Sequence, residues 1–341
     1  MSGTSLDGID FAYIKFSFHH SWSFSIIHTN TFKYSDDWLN KLKKAFHQNK
    51  KQLKALDNEY GAFLAELCLK FINENNIKNI DFIASHGHTI HHKPAEGYTL
   101  QIGNGKIIAN KTGIQTIYDF RTQDVALGGQ GAPLVPIGDE LLFAKYDYCL
   151  NLGGFANVSY KNNDTRIAFD ICAVNTVLNY YANKLGLAYD NQGKIAKNGQ
   201  LLPNLLEELN HLDFYNQSPP KSLGFEYVET VLLPLIESYQ AKAEDILHTY
   251  CKHIAYQIST IFIDDGKVLI TGGGTFNHFL IDEIKAISNN QIVIPSNKVI
   301  DYKEALIFAF LGVLKLENKV NCLKSVTGAS KDHSSGKIAL V

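Results

Sequence analysis

The sequence predicts an α/β chain folded as two domains. Three observations carry that expectation: the length, a succession of strand and helix patterns that occurs twice, and glycine-rich loops where strands end. At 341 residues the chain exceeds the roughly 250–300 that one hydrophobic core usually supports. Hydrophobic residues make up 45% and charged residues 19%, which suits a globular protein and leaves no room for an extensive disordered tail.

In chain order, Ile9 to Phe18 (IDFAYIKFSF) and Ser23 to Tyr34 (SFSIIHTNTFKY) have the aromatic and β-branched content of neighbouring strands in a meander. Two helices follow. In the second, Leu53, Leu56, Tyr60, Phe63, Leu67 and Phe71 recur at helical spacing and share one face, which is the expected core face. A short buried strand, Asp81 to Ser85, leads into a His-rich turn. A glycine-punctuated region then runs to DFRTQDVALGGQGAPLVP (Asp119 to Pro136), where the substrate is expected.

The order then repeats. Tyr148 to Asn162 and Arg166 to Asp170 open a second meander, and a helix carrying Val177, Leu178, Tyr181 and Leu185 follows. A helical stretch from Glu226 to Ile263 passes into the strand KVLITGGG (Lys267 to Gly274), a helix from Phe276, the strand IVIP and a helix from Tyr302 to Leu316. The expected domains are 1–130 with a C-terminal segment of about 301–341, and 131–300, facing one another across a cleft.

Charge and cysteine usage narrow the partners. With 32 basic against 34 acidic residues, net −2, there is no basic field for nucleic acid or an anionic membrane surface. No apolar run reaches the ~20 residues of a spanning helix, and no signal-like segment opens the chain, so the reading is cytoplasmic. The five cysteines are scattered, without a C-x-x-C pair, as free thiols in a reducing compartment would be.

Three loops have the composition that triphosphate binding asks for, since backbone N–H groups must come close to oxygens. The first is Gly3-Thr4-Ser5-Leu6-Asp7-Gly8, where Gly3, Gly8 and two hydroxyls surround Asp7, a carboxylate suited to holding water on Mg²⁺. The second, Asn151 to Ser159, has Gly153 and Gly154 at its bend and Asn157 beyond. The third, Gly272-Gly273-Gly274, follows an apolar strand and precedes a helix, where α/β folds bind ligands. A turn, a hairpin and close strand-to-helix packing are their plain structural readings. No G-x-x-x-x-G-K-[ST] run occurs, so a kinase of this sequence is not a P-loop enzyme.

Phosphoryl transfer needs positioning, charge neutralisation and a base for the attacking oxygen. Asp170, at the end of RIAFD and just before a helix, is the candidate base; a helix N-cap is the equal alternative on position alone. Arg121, in a polar glycine-rich stretch, offers a guanidinium fork for a carboxylate or for developing charge, and an ion pair with Asp119 or Asp124 is its structural alternative. His86, His88, His91 and His92 have no cysteine or paired carboxylate at ligand spacing, which argues against a metal there.

Taken together, GTSLDG, SHGHTIHHKP, QIGNG, DFRTQDVALGGQGAPLVP, NLGGFANVS, YDNQGKIAKNG, PPKSLGFE and TGGGTFNHFL resemble the signature series of the anhydro-N-acetylmuramic acid kinase family over nearly the whole chain. The resemblance implies an actin-like ATPase (ribonuclease H-like) sugar-kinase fold with duplicated α/β halves. It implies ATP and Mg²⁺ as cofactors, a small amino sugar as substrate and a homodimer as the assembly. It makes Asp170 the base that activates water and Arg121 its catalytic companion, both touching the sugar. Glu304, in DYKEALIFAF, is similar to a late glutamate that contacts sugar hydroxyls, with a solvated helix surface as the other reading. The three glycine loops become the ATP-binding set.

Some positions depart from the family pattern. After the base the family has Thr-Gly-Pro-Gly-Asn, whereas this chain has Ile171-Cys172-Ala173-Val174-Asn175, so Cys172 and Val174 are expected to narrow a pocket there. Phe225 stands where the family has Arg. The family places a β-strand ahead of GTSLDG, so the first strand is expected to be missing here, and a chain extended upstream of Met1 to be more soluble and more active. A pseudokinase that binds nucleotide and sugar without transfer is the alternative function, with an ATP-independent hydrolase and an actin-like polymer subunit as further classes.

Overall fold

The computed structural model describes residues 1–3, 6, 8–263 and 265–341. Two compact units divide the chain, one of residues 1–142 and 302–341 and the other of residues 143–301. Both mix strands and helices, in agreement with the α/β expectation.

In the first unit, β1 (Ile9–Phe18) and β2 (Trp22–Phe32) form an antiparallel hairpin. The helix Asp36–Ala45 begins where the Ser35 side chain accepts from the Trp38 N–H. The helix Lys50–Glu74 begins at a capping box of Asn49 and Gln52. It buries Leu53, Leu56, Tyr60, Leu64, Cys68 and Phe71, while Phe63 and Leu67 sit at the edge of that stripe. Three strands follow: β3 (Ile83–Ser85), β4 (His88–Lys93) and β5 (Tyr98–Ile102). After the helix Gly105–Thr112 comes β6 (Thr116–Tyr118). β3 and β6 are parallel, the C-terminal strand Lys337–Ala339 runs antiparallel to β6, and β4 pairs with β5 as a separate hairpin. A second apolar cluster, with Ile117, Phe120, Ile307, Phe310 and Leu311 buried, joins the C-terminal helix to this sheet.

The second unit has one five-stranded mixed sheet, β11-β10-β7-β8-β9. Its strands are β7 (Tyr148–Leu152), β8 (Phe155–Asn162), β9 (Thr165–Ala173), β10 (Lys267–Thr271) and β11 (Gln291–Val293). β7 to β9 form the antiparallel meander, and β7, β10 and β11 run parallel. The helix Ala243–Ser259 lies at the centre of this unit's core, with Tyr250, Cys251 and Ile254 fully buried.

The same succession, an antiparallel hairpin and then parallel strands, occurs in both units. The second unit seats β7 between β8 and β10. At the matching place in the first unit, between β1 and β3, there is a cavity of about 580 Å³ with Phe11, Tyr13, Phe82 and Ala84 among its lining. No strand lies between β1 and β3 among the described residues, as the sequence reading expects of its first strand.

Several elements differ in detail from the sequence reading. The helical stretch read from Glu226 to Ile263 consists of two helical segments, Phe225–Ser238 and Ala243–Ser259, broken where Gln240 takes φ 50°. The helix read as carrying Leu185 ends at Lys184, and Leu185 is exposed just beyond it. Cys172 and Val174 are fully buried in the second unit's core, so they fill packing space and do not narrow a pocket.

Candidate active site

In the second unit, β7 and β10 are parallel neighbours, so the loops leaving their C-terminal ends emerge together. Gly272 follows β10 with φ 86° and ψ 164°, a region open to glycine alone. A Cβ there would lie 2.7 Å from both the Asn151 Oδ1 and the Leu152 carbonyl oxygen, and one on Gly274 would lie 2.7 Å from the Leu152 Cβ. The two glycine loops are thus packed at a distance that excludes side chains. Gly273 alone of the three is exposed.

The turn after β7 is fastened to the helix Asn175–Lys184. The Val174 N–H and the Thr176 Oγ1 both donate to the Gly154 carbonyl, each at 2.8 Å, and the Asn175 N–H donates to that of Gly153 at 3.2 Å. The Asn175 side-chain amide donates to the Leu152 carbonyl at 3.3 Å, and a Cβ on Gly273 would meet the same amide nitrogen at 3.7 Å. Asn175 therefore stands where both loops meet.

Asp170 pairs directly with Asn157 across β8 and β9, which puts both side chains on one face of the sheet. The ladder slips immediately after this pair, since Cys172 opposes Ala156 and Ile171 is the extra, bulged residue. Such bulges re-aim neighbouring side chains. Contrary to the sequence reading, β9 continues through Asp170 to Ala173 and the following helix is entered from Val174. Asp170 is not its cap.

The Asp170 Oδ2 accepts from the Ser222 Oγ at 3.0 Å and the Leu223 N–H at 2.9 Å. Its Oδ1 has no hydrogen-bond partner among the described residues. Burial pushes the carboxyl above the usual carboxylate range, opposed by the hydrogen bonds from Leu223 and Ser222. The result is a carboxylate fixed through one oxygen, open at the other and more basic than a surface aspartate.

In the first unit, the segment Phe120 to Gly131 holds Arg121. Its Nε donates to the His86 Nε2 at 3.0 Å and its Nη1 to the Gly131 carbonyl at 2.6 Å. Accepting at Nε2 fixes the His86 tautomer, so Nδ1 carries the proton and donates to the Gly87 carbonyl at 3.0 Å. Burial, and then the Arg121 charge, hold His86 well below its ordinary pKa, which keeps it neutral and an acceptor. The Gly131 N–H donates to the Asp124 Oδ2 at 2.7 Å, so the peptide that receives Arg121 is itself anchored.

The ion pairs that offered the structural alternative for Arg121 are not formed. Asp119 pairs with Lys337 at 2.7 Å, and Asp124 is engaged by Gly131 and the C-terminal segment. Glu304 is coupled electrostatically to Arg121. It is densely surrounded by protein, yet its side chain is reached by water. Desolvation raises its carboxyl pKa, with Arg121 acting in the opposite sense.

The first loop is closed by an isolated antiparallel bridge between Ser2 and Ile9. The buried Ser2 Oγ lies 2.6 Å from the Tyr34 hydroxyl and 2.8 Å from the His88 Nδ1, and this network pins the loop entrance. Gly3 is half-buried and Gly8 buried against β2. Thr4, Ser5 and Asp7, read as phosphate and metal contacts, lie outside the described residues.

The residues read from the sequence therefore form two clusters, one in each unit. Gly153, Gly154, Asn157, Asp170 and Gly272 to Gly274 belong to the second unit, and Arg121, Glu304, Gly3 and Gly8 to the first. His86 was read only as a rejected metal ligand, and Ser222 was quoted in PPKSLGFE without a role. Nothing local in the sequence names Arg121, 35 residues away, as the partner of His86.

The anhydro-N-acetylmuramic acid kinase family profile matches residues 1–340. Curated proteins named anhydro-N-acetylmuramic acid kinase are similar over the same span. One from Mannheimia succiniciproducens is 32% identical, covering 99% of this chain and 97% of its own. One from Shewanella denitrificans is 34% identical, covering 97% and 94%, and one from Bacillus cereus is 32% identical, covering 99% and 97%. Among solved structures, a hexokinase from Schistosoma mansoni complexed with glucose has a TM-score of 0.34 and 12% identity, covering 89% of this chain and 83% of that one. On a family match over residues 1–340, with relatives above 30% identity across nearly all of their own length, this chain belongs to the anhydro-N-acetylmuramic acid kinase family.

Proposed function

We propose that this chain is an ATP-dependent phosphotransferase. It opens 1,6-anhydro-N-acetylmuramic acid with water and phosphorylates the freed hydroxyl, giving N-acetylmuramic acid 6-phosphate in peptidoglycan recycling. Family membership over the whole chain is the observation that carries this reading. The intact Asp170, with one oxygen fixed and one open, supports its part in the chemistry.

In this reading the open Asp170 Oδ1 takes a proton from water as the water oxygen bonds to the anomeric carbon. The bond from that carbon to the bridging oxygen breaks, and the oxygen stays on C6. It then attacks the γ-phosphorus and ADP leaves. Arg121, held by His86 and Gly131, offers its remaining N–H groups to the sugar carboxylate or to charge developing nearby. Glu304 accepts from sugar hydroxyls. Gly3, Thr4, Ser5, Gly8, Gly153, Gly154, Asn157 and Gly272 to Gly274 supply the ATP contacts. Residues 131–300 form the nucleotide domain, and 1–130 with about 301–341 the sugar and phosphate domain.

Mg²⁺ asks for hard oxygen donors, and the donor set of this reading is of that kind: the ATP phosphates and water oriented by Asp7. When bound, the ion neutralises charge on the β- and γ-phosphates. The buried free thiols suit a cytoplasmic enzyme, and a homodimer belongs to the same reading. No helix among the described residues is long and apolar enough to cross a membrane.

Coupled ADP release tests the proposal. Release that requires both the anhydro sugar and Mg²⁺, with equimolar sugar phosphate by mass spectrometry, supports it. Tight nucleotide and sugar binding without turnover would establish the pseudokinase instead.

A further inference from the structure

We propose that Asp124, Cys322 and His333 form a binding site for one Zn²⁺ ion, which clamps the C-terminal segment onto the turn that carries Arg121. The Asp124 oxygen, the Cys322 sulfur and a His333 nitrogen all lie within 4.8 Å of one another, and all three residues are buried. Their wide separation in sequence hid this cluster, since Asp124 and Cys322 are 198 residues apart.

The backbone prearranges two of the ligands. Cys322 and His333 form a directly opposed antiparallel pair, each N–H donating to the other's carbonyl at 3.1 Å, so their side chains leave the same face. The Asp124 Oδ1 lies 3.1 Å from the Cys322 Sγ and 3.5 Å from the His333 Nε2. With metal–ligand bonds of about 2.0–2.3 Å at tetrahedral angles, zinc donors stand about 3.2–3.7 Å apart, close to this spacing.

The second observation concerns the imidazole. His333 Nδ1 is 3.1 Å from the Lys331 carbonyl, and a carbonyl only accepts, so Nδ1 carries a proton. The Nε2 is buried, has no hydrogen-bond partner and points at the carboxylate oxygen. Nε2 is the ring's remaining donor nitrogen, turned toward the same Asp124 oxygen that Cys322 and Thr327 contact, as a ligand set around one cation requires. Thiolate, imidazole and carboxylate are the donors that Zn²⁺ accepts together, and its d¹⁰ shell imposes no other geometry. The thiol proton, now donated to Asp124, is released to solvent as the zinc–sulfur bond forms. Water or the Thr327 hydroxyl, which donates to the same Oδ1 at 2.7 Å, completes the shell.

The site couples to Arg121 through Asp124, whose other oxygen accepts from the Gly131 N–H, while the Gly131 carbonyl accepts from Arg121. The ion would serve as a structural clamp with no part in phosphoryl transfer.

The test uses the full chain stripped with chelator and titrated with Zn²⁺ alone, then with Co²⁺ alone as a spectroscopic probe. Expected are one Zn²⁺ per chain retained on desalting, a near-ultraviolet thiolate-to-cobalt band, and a rise in melting temperature with Zn²⁺. Cys322→Ser should abolish the band, and His333→Ala should weaken Zn²⁺ binding roughly 100-fold or more. Absence of retained Zn²⁺ and of the band in the wild-type chain would overturn the proposal, independently of how the variants fold. A band that persists in Cys322→Ser would overturn it as well.

Discussion

Asp170→Asn separates catalysis from folding. Asn keeps an acceptor oxygen where the Asp170 Oδ2 receives hydrogen bonds from Ser222 and Leu223, so the segment beside β9 stays in place. What disappears is the basicity of Oδ1. A general base contributes about 10²–10⁴-fold, which at 1.36 kcal/mol per decade is about 3–5 kcal/mol of transition-state stabilisation. The loss should fall on kcat, with KM changed little because no binding contact is removed. Stability should move the other way. Burial raises the folded-state pKa of Asp170, so this group favours folding below its unfolded pKa and loses that contribution as pH rises through the folded value. At neutral pH the charge is a net burden, and Asp170→Asn should melt at the wild-type temperature or above it. Steady-state ADP release and a thermal melt on one preparation read both quantities. A variant within tenfold of wild-type kcat, or one that melts well below it, would refute the reasoning.

Other perturbations read other parts of the site. His86→Ala removes the acceptor that orients the Arg121 Nε; sugar KM should rise about tenfold with ATP KM unchanged, and equal effects on both would argue for general disruption. Gly272→Ala forces a side chain into a glycine-only conformation at about 1–3 kcal/mol, before its contact with the Leu152 carbonyl is counted, so melting temperature should fall and ATP KM rise. The acid limb of the kcat profile should lie above the usual aspartate range because ionised Asp170 is the active form, and Ser222→Ala should shift that limb further up by removing a hydrogen bond to the carboxylate.

Local chemistry was legible in the sequence. The glycines of TGGG mark a place where the backbone must pass close to a neighbouring segment, and the structure gives the partners as Asn151 and Leu152. The Lys50–Glu74 helix followed from its apolar stripe. Features made by two distant segments were not legible. The bulge at Ile171 depends on the register between β8 and β9, and periodicity in one strand cannot report it. The His86–Arg121 bond and the Asp124, Cys322 and His333 cluster join residues whose proximity is decided by the sheet β3-β6 and the returning C-terminal strand. Cys172 and Val174 misled for a related reason: they lie just past the bulge, where Ile171 to Val174 are all buried in the second unit's core.

The central claim is that water opens the anhydro ring and ATP phosphorylates the oxygen thereby freed. It is tested most directly by running the reaction in ¹⁸O-labelled water and taking early time points for fragment mass spectrometry. The account predicts ADP and a sugar phosphate carrying one ¹⁸O on the anomeric carbon, with none in the phosphate ester. Opened sugar without ADP, a phosphorylated sugar whose ring is still bridged, or label at C6 would contradict it.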